Sequence, residues 1–130
     1  MRIFTGEKSL YDDLMQRVRS ATYVEVHNCT GLTALPAATH VEVYNCPGLT
    51  ALPELPAATY ARVYNCRGLS TYGGTHRGYD AYAVKMRGGW VVVAGCQNFT
   101  FGEARDHWAK DTVALAIIDR LEKLTKDIGP

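Results

Sequence analysis

ATYVEVHNC at residues 21–29 recurs as ATHVEVYNC at residues 38–46 and as ATYARVYNC at residues 58–66. Each copy is followed by a Gly-Leu pair, and the first two continue into Leu-Thr-Ala-Leu-Pro. Successive copies begin 17 and then 20 residues apart, because residues 54–56 are inserted in the second interval. Copies that align without gaps indicate a repeat architecture, in which each unit packs on the next.

The alternation of apolar and polar residues within each copy is typical of a β-strand with one buried face. The apolar positions are Val24, Val26, Val41, Val43 and Val63. A unit of 17 to 20 residues has little room for a long helix, and its prolines favour an extended or 3₁₀ return segment. The repeat therefore predicts parallel strands lying side by side in register, with their valines pointing inward.

The consensus V-x-V-x-x-C-x-x-L-x-x-L-P, over residues 21–72, resembles the cysteine-type leucine-rich repeat. The resemblance implies a short solenoid of parallel strands in which one cysteine per unit joins a buried ladder. These cysteines are Cys29, Cys46 and Cys66. Ala61 and Tyr72 depart from the pattern, which suggests that the third unit leads into a cap. A metal held by three thiols would need a fourth ligand, so we predict no metal and no other cofactor.

The segment before the repeats, residues 1–20, is expected to cover the first end of the solenoid. Ser9 suits a helix N-cap, and Leu10, Leu14 and Val18 recur at four-residue spacing, which gives one apolar stripe. We therefore predict an N-terminal helical cap.

The segment after the repeats, residues 73–130, is expected to cover the other end. Residues 71–78 are rich in glycine and threonine, which favours a flexible loop, and they match no phosphate-binding motif. Residues 79–86 and 90–94 have the composition of strands and are joined by Arg-Gly-Gly, which predicts a β-hairpin.

Two helices are predicted after the hairpin. Thr100 and Glu103 form a capping box, so the first helix should begin there and end near residue 109. The second helix should span residues 111–126. Its apolar face is expected to consist of Val113, Ile117, Leu121, Leu124 and Ile128. The whole chain, residues 1–130, is thus predicted to form one α+β domain.

A further pattern is spread over the predicted hairpin and the first helix. It comprises Arg77-Gly78-Tyr79, Gly89-Trp90, AGCQNFT at residues 94–100, Glu103-Ala104 and His107-Trp108. This pattern is similar to the C-terminal module of small uncharacterised proteins encoded by bacteriophages and prophages. The resemblance implies a phage-related protein in the bacterial cytoplasm, and it implies no particular reaction.

Composition and charge narrow the classes of function. The net charge is +1 with acids and bases intermixed, whereas a nucleic-acid-binding protein would show a basic stripe. Residues 1–9 lack the apolar run of a signal peptide, and Val-Val-Val-Ala at residues 91–94 is too short to cross a bilayer. We therefore expect a cytoplasmic protein that binds neither membranes nor nucleic acid.

The residues between the inward valines should point to the opposite side of the predicted strands. They are Tyr23, Glu25, His27, His40, Glu42, Tyr44, Tyr60, Arg62 and Tyr64. Six of the nine are Tyr or His, and tyrosine is enriched at protein-binding hot spots. The leading hypothesis is a protein-binding surface. The alternatives are aromatic rows that only stabilise the sheet, or a face covered by a cap or by the C-terminal helices.

These observations favour a non-enzymatic interaction protein, and the phage resemblance suggests a host factor, such as a defence component, as its partner. In one alternative, Glu25 and Glu42 perform acid–base catalysis with the neighbouring histidines. In another, the exposed ends of the solenoid drive self-assembly. Cys96 and His107 lack an orienting third residue, so they do not indicate a catalytic pair. The sequence indicates no oligomeric state.

Overall fold

The computed structural model describes residues 2–3, 20–28, 37–46, 55 and 57–128. Within these residues the chain forms two four-stranded sheets and two helices, which confirms the predicted α+β class. The predicted helix after Ser9 and the first cysteine of the predicted ladder, Cys29, lie outside the described residues.

The repeats form a parallel sheet. Its strands, in order across the sheet, are β1 (Arg2–Ile3), β2 (Ser20–His27), β3 (Ala37–Tyr44) and β4 (Tyr60–Tyr64). Val24 pairs with Val41, and Val41 pairs with Ala61, so the units lie in the register that their gapless alignment predicts. The sequence does not predict β1, which pairs with β2 inside the segment expected to be a helical cap.

The inward side chains of the parallel sheet form the first core of the molecule. The fully or almost fully buried residues on this side are Val24, Val26, Val41, Val43, Ala61, Val63, Cys46 and Cys66. The thiols of these two cysteines donate to the carbonyls of Tyr44 and Tyr64 at 3.3 and 3.4 Å. These cysteines therefore act as small core residues.

Each unit turns at the asparagine before its cysteine. Asn28, Asn45 and Asn65 have φ values of 55°, 53° and 53°, in the left-handed region that asparagine tolerates better than most residues. The Asn28 N–H donates to the Tyr44 carbonyl at 3.1 Å, and the Asn45 N–H donates to the Tyr64 carbonyl at 2.9 Å. The Asn-Cys pair of the repeat thus ends the strand and ties each turn to the next unit.

The second sheet is antiparallel. Its strands are β5 (Tyr72–His76), β6 (Tyr79–Met86), β7 (Gly89–Ala94) and β8 (Gln97–Phe99). The pair β6–β7 confirms the predicted hairpin, including the turn around Gly88.

The prediction of a flexible loop at residues 71–78 is wrong, because β5 occupies most of that stretch and pairs with β6. A Cβ atom at Gly73 would lie 2.6 Å from the Leu121 side chain. The carbonyl of Gly73 accepts a hydrogen bond from Arg120 at 2.8 Å. Glycine is therefore present here because a helix packs closely on the strand.

The two helices are α1 (Phe101–His107) and α2 (Thr112–Ile128). The predicted capping box is confirmed: the Glu103 N–H donates to the Thr100 hydroxyl at 3.1 Å, and the Thr100 N–H donates to the Glu103 carboxylate at 2.9 Å. At the start of α2, the carboxylate of Asp111 accepts from the Ala114 N–H at 3.1 Å. Both helices therefore begin at a side-chain cap.

The predicted apolar face of α2 is only partly correct. The buried residues of the helix are Ala114, Ile117, Ile118, Leu121 and Thr125. Val113 is more than half exposed, because one residue step turns a helix by about 100° and the buried stripe runs through Ala114. Ile128, the last helical residue, is also more than half exposed.

The antiparallel sheet is covered on both faces. Tyr82, Val84 and Val93 join the core of the parallel sheet, whereas Ala83 and Val92 pack with α1 and α2. Helix α2 contacts β5, β6 and β7, and α1 contacts α2, β7 and β8. Within the described residues, no helix has the length and apolar character needed to cross a membrane.

Side chains of the antiparallel sheet complete the backbone hydrogen bonds at the free edge of β4. The amide of Asn98 accepts from the Ala61 N–H at 2.8 Å and donates to the Ala61 carbonyl at 2.7 Å. The Asn65 N–H donates to the carboxylate of Asp80 at 3.0 Å. The N–H groups of Asn28 and Asn45 instead donate to a backbone carbonyl of the next unit. The second sheet therefore ends the series of repeats.

Candidate functional site

The nine residues predicted to point away from the core lie together on one side of β2, β3 and β4, and we call this surface the outer face. Its three cross-strand rows are Tyr23–His40–Tyr60, Glu25–Glu42–Arg62 and His27–Tyr44–Tyr64. Within each strand these residues alternate with the buried valines. The sequence therefore predicts the position of each residue correctly.

Ring contacts connect neighbouring strands across the outer face. The ring centroids of Tyr23 and His40 are 4.7 Å apart, and those of His40 and Tyr60 are 4.6 Å apart. His27 stacks on Tyr44 with a centroid separation of 4.8 Å. The guanidinium of Arg62 lies 5.8 Å from the centroid of the Tyr44 ring, within cation–π range. These contacts hold the rings in fixed orientations on the sheet.

Glu25 and Glu42 are adjacent across β2 and β3, and their side chains are only 14% and 13% exposed. The Tyr23 hydroxyl lies 2.6 Å from the Glu42 carboxylate and also contacts the Glu25 carboxylate. A hydroxyl carries one proton, so the two carboxylates share this donor. The Tyr23 hydroxyl thereby reduces the repulsion expected between like charges on neighbouring strands.

Further donors complete the surroundings of the two carboxylates. His40 Nε2 lies 3.0 Å from Glu42 Oε2, and the Tyr44 hydroxyl donates to Glu42 Oε1. On the neighbouring strand, His27 Nε2 contacts Glu25 Oε1. The glutamates therefore lie between the two rows of rings and accept hydrogen bonds from both rows.

Hydrogen bonding separates the pKa values of these groups. Burial opposes ionisation of Glu42, but hydrogen bonds from Tyr23, Tyr44 and His40 outweigh it and lower the pKa of this carboxyl below 4.5. Hydrogen bonds to Glu25 and Glu42 raise the pKa of Tyr23. Burial, followed by the hydrogen bond to Glu42, raises the pKa of Tyr44 to about 12. At neutral pH, Glu42 is thus an ionised acceptor and both phenols are protonated donors.

Both described helices pack on the antiparallel sheet. The alternative in which the C-terminal helices cover the outer face is therefore wrong. Tyr64 is 50% exposed, and the side chain of His40 is 38% exposed. A partner that approaches the outer face would reach aromatic rings first.

The other candidates of the sequence lie in the antiparallel sheet and α1. Cys96 is in the turn between β7 and β8, where its carbonyl accepts a hydrogen bond from the Tyr60 hydroxyl at 2.9 Å. His107 stacks on Phe99 and meets Trp108 edge to face. These contacts give His107 a packing role within the layer of α1.

Sequence reasoning missed Asp80, which is almost fully buried. Its carboxylate accepts from Thr75 at 2.6 Å, Tyr82 at 3.0 Å, the Asn65 N–H at 3.0 Å and Arg67 at 3.2 Å. Burial opposes its ionisation, yet these hydrogen bonds lower the pKa of Asp80. A single acid inside the apolar strand at residues 79–86 was the available signal, because a buried charge needs partners.

Comparison of the chain with protein-family models, with curated proteins and with solved structures finds no match.

Proposed function

We propose that the protein is a non-enzymatic interaction module that binds another protein through the outer face. The observation that supports this most directly is the pair of Tyr and His rows, whose rings contact each other across neighbouring strands on both sides of two hydrogen-bonded glutamates. Rings that are ordered before binding lose little conformational entropy on contact. More of the contact energy then contributes to affinity.

The exposed residues of the outer face define the chemistry of the proposed partner. Arg62 and the half-exposed Tyr64 lie together on β4, and both residue types are enriched at protein-binding hot spots. The two glutamates are mostly covered by their donors. A complementary partner would present apolar side chains to the rings and an acidic side chain to Arg62.

The lowered pKa of Glu42 favours binding over acid–base catalysis at this face. A general base acts best when its pKa lies near the working pH, which for a carboxyl at neutral pH requires a raised value. The shift in Glu42 has the opposite direction. An enzyme that uses Glu25 and Glu42 would lose its activity in a Glu25→Gln/Glu42→Gln variant.

The two sequence resemblances extend the proposal. The likeness of residues 21–72 to cysteine-type leucine-rich repeats supports a short solenoid that presents its strand residues to a partner. The likeness of the C-terminal pattern to bacteriophage and prophage proteins supports a bacterial host protein, such as a defence component, as the partner. The proposed place of action is then the bacterial cytoplasm.

The test compares two double variants with the wild-type chain in capture experiments from bacterial lysate. Arg62→Ala/Tyr64→Ala removes the partly buried cation and the half-exposed ring of β4 from the outer face. Tyr79→Ala/Arg87→Ala makes the same two changes at exposed positions of the antiparallel sheet. We expect the wild type and the second variant to retain the same partner, and the first to retain at least about tenfold less.

Two measurements complete this test. Circular dichroism spectra should be the same for all three proteins, so that loss of capture is not loss of fold. A face variant that keeps every partner contradicts the proposal. Light scattering over a range of concentrations tests for self-assembly. A mass that rises with concentration in the wild type and is lower in the face variant would show that the partner is a second copy of this chain.

A further inference from the structure

A cavity lies between the antiparallel sheet and the two helices, away from the outer face. Its volume is about 290 Å³, near the lower end of pockets that bind small molecules. The apolar part of its wall consists of Ala81, Val92, Ala94, Trp108, Ala114, Ile117 and Ile118. None of these residues belongs to the outer face.

Small side chains create the space. Ala81 on β6, Ala94 on β7 and Ala114 on α2 all line the cavity, where larger residues would fill it. An apolar group that enters this space removes apolar wall surface from water, which is favourable. The alanines therefore favour an apolar occupant.

The walls of the cavity are held in place by ion pairs between the helices. Arg105 on α1 donates to Glu122 and to Asp119 on α2, both at 3.1 Å. At the corner between the helices, Trp108 lies edge to face with Phe99 at 5.4 Å. A site with fixed walls binds a ligand without the cost of ordering them.

Polar side chains also line the cavity, and Arg77 supplies a cation among them. Its Nε lies 3.6 Å from Asp111, and its side chain is 76% exposed. The carboxylate of Asp111 also accepts from the Ala114 N–H at 3.1 Å and contacts His76 at 2.9 Å. The Asp111 carboxylate thus contacts three donors. The planar guanidinium of Arg77 has five N–H groups in total, so it can still donate to a ligand.

The backbone at Arg77 adds an independent observation. Arg77 and Gly78 form the two-residue turn between β5 and β6, with φ values of 53° and 80°. Asparagine or glycine is the preferred residue at the first position of such a turn, and arginine pays a conformational penalty there. Strain of this kind is found at sites where the side chain has a function.

We propose that this cavity binds a small molecule with an apolar body, about the size of one aromatic ring, and a carboxylate. The body lies against Val92, Ile117 and Trp108. The carboxylate accepts hydrogen bonds from the guanidinium of Arg77, which matches the two oxygens of such a group. His76, Gln97 and His107 also line the cavity and offer further polar contacts.

The test uses 3-phenylpropionate and its uncharged analogue 3-phenylpropanamide as probes of the full chain. Each is titrated into ¹⁵N-labelled protein and followed by two-dimensional NMR. We expect saturable shifts at the indole N–H of Trp108 and the side-chain amide of Gln97, with a Kd on the order of 1 mM for the acid. The amide should bind about tenfold more weakly, because it loses the charge-assisted hydrogen bonds.

Two variants locate the interaction. Arg77→Gln should weaken the acid about tenfold and leave the amide unchanged, whereas Arg87→Gln, an exposed arginine in the other hairpin turn, should change neither. Ala114→Leu should abolish binding of both probes by filling the cavity. If that variant does not fold, Ala81→Val reduces the same space by less.

Three results would overturn the proposal. The first is equal binding of the acid and the amide, and the second is an Arg77→Gln variant with wild-type affinity for the acid. The third is the absence of saturable shifts at Trp108 and Gln97 with either probe. Because the outer face shares no residue with the cavity, failure here leaves the proposed protein interaction standing, and the converse also holds.

Discussion

The parallel and the antiparallel sheet differ in how they use their two faces. In β2 and β3 valines point to the core, and the residues between them carry rings and carboxylates on the other side. In β7 the neighbours Val92 and Val93 are both buried, one against the helices and the other against the core of the repeats. Strict alternation marks a sheet with an accessible face, whereas a continuous apolar run marks a sheet covered on both sides.

This contrast assigns different tasks to the two sheets. The parallel sheet presents an ordered polar surface, and the antiparallel sheet supplies the packing and the edge contacts that end the repeats. Two side chains of the antiparallel sheet contact the edge of the parallel sheet. Asp80 contributes a buried carboxylate, and Asn98 contributes an amide that forms the hydrogen bonds a further strand would form with its backbone. Substitutions in the antiparallel sheet should therefore reduce stability, and under the proposed function substitutions on the outer face should alter binding.

The largest effect is expected for Asp80→Ala. The change leaves the Asn65 N–H and the hydroxyls of Thr75 and Tyr82 without their acceptor. Breaking a buried charged network costs about 3–5 kcal/mol, which urea unfolding followed by circular dichroism would measure. Asp106→Ala, at an exposed position of α1, should change stability by less than about 0.5 kcal/mol. Equal effects of the two substitutions would contradict the role given to Asp80.

The next effect is expected for Gly73→Ala. The new Cβ would lie 2.6 Å from the Leu121 side chain, so this side chain or α2 itself must shift. Overpacking of this kind costs about 1–3 kcal/mol. Gly88→Ala is the matched control, because a Cβ at Gly88 meets no atom within 4 Å. A Gly73→Ala protein that unfolds at the wild-type urea concentration would restore the loop interpretation of residues 71–78.

A smaller loss is expected for Asn98→Leu. This substitution removes both hydrogen bonds to Ala61 and leaves backbone groups of β4 unsatisfied. The expected cost is about 1–2 kcal/mol. Hydrogen exchange should report it as faster exchange of the Ala61 amide relative to the amides of β6. If the Ala61 amide stays as protected as in the wild type, Asn98 does not complete the edge of β4.

The smallest effect is a pH dependence carried by the outer face. The folded-state pKa of Glu42 lies below its ordinary value of 4.5, so its hydrogen bonds stabilise the fold above that pH and this stabilisation is lost as the pH falls below it. The pKa of Asp80 is also lowered, from its ordinary value of 3.8, so the hydrogen bonds of Asp80 likewise stabilise the fold above pH 3.8. This stabilisation is lost as the pH falls further. Urea midpoints measured between about pH 3 and pH 7 should therefore fall less steeply in Glu42→Gln than in the wild type. Identical slopes would show that Glu42 does not contribute.

Much of the fold could be predicted because it depends on local patterns. The gapless repeat sets the register of β2, β3 and β4, since a shift by one residue would turn every valine outward. The turn around Gly88 and the capping box at Thr100 are similarly local. The positions of all nine residues of the outer face follow from the same alternation.

The remaining features depend on contacts between distant segments. Gly73 and Gly74 resemble loop residues until α2, more than 40 positions later, is seen to pack on them. Asp80 and Asn98 act on backbone groups of β4, and no local pattern shows which residue will reach that edge. The cavity arises from alanines on three separate elements, each unremarkable in its own segment.

The edge contacts made by Asn98 and Asp80 all fall on the last repeat unit. An additional unit inserted between β3 and β4 would leave these contacts intact, because its own edges would pair with identical backbone on either side. The number of strands in the outer face could therefore change without any change in the antiparallel sheet that ends the repeats. Duplication of residues 38–57 should therefore widen the outer face by one strand and leave the antiparallel sheet unchanged.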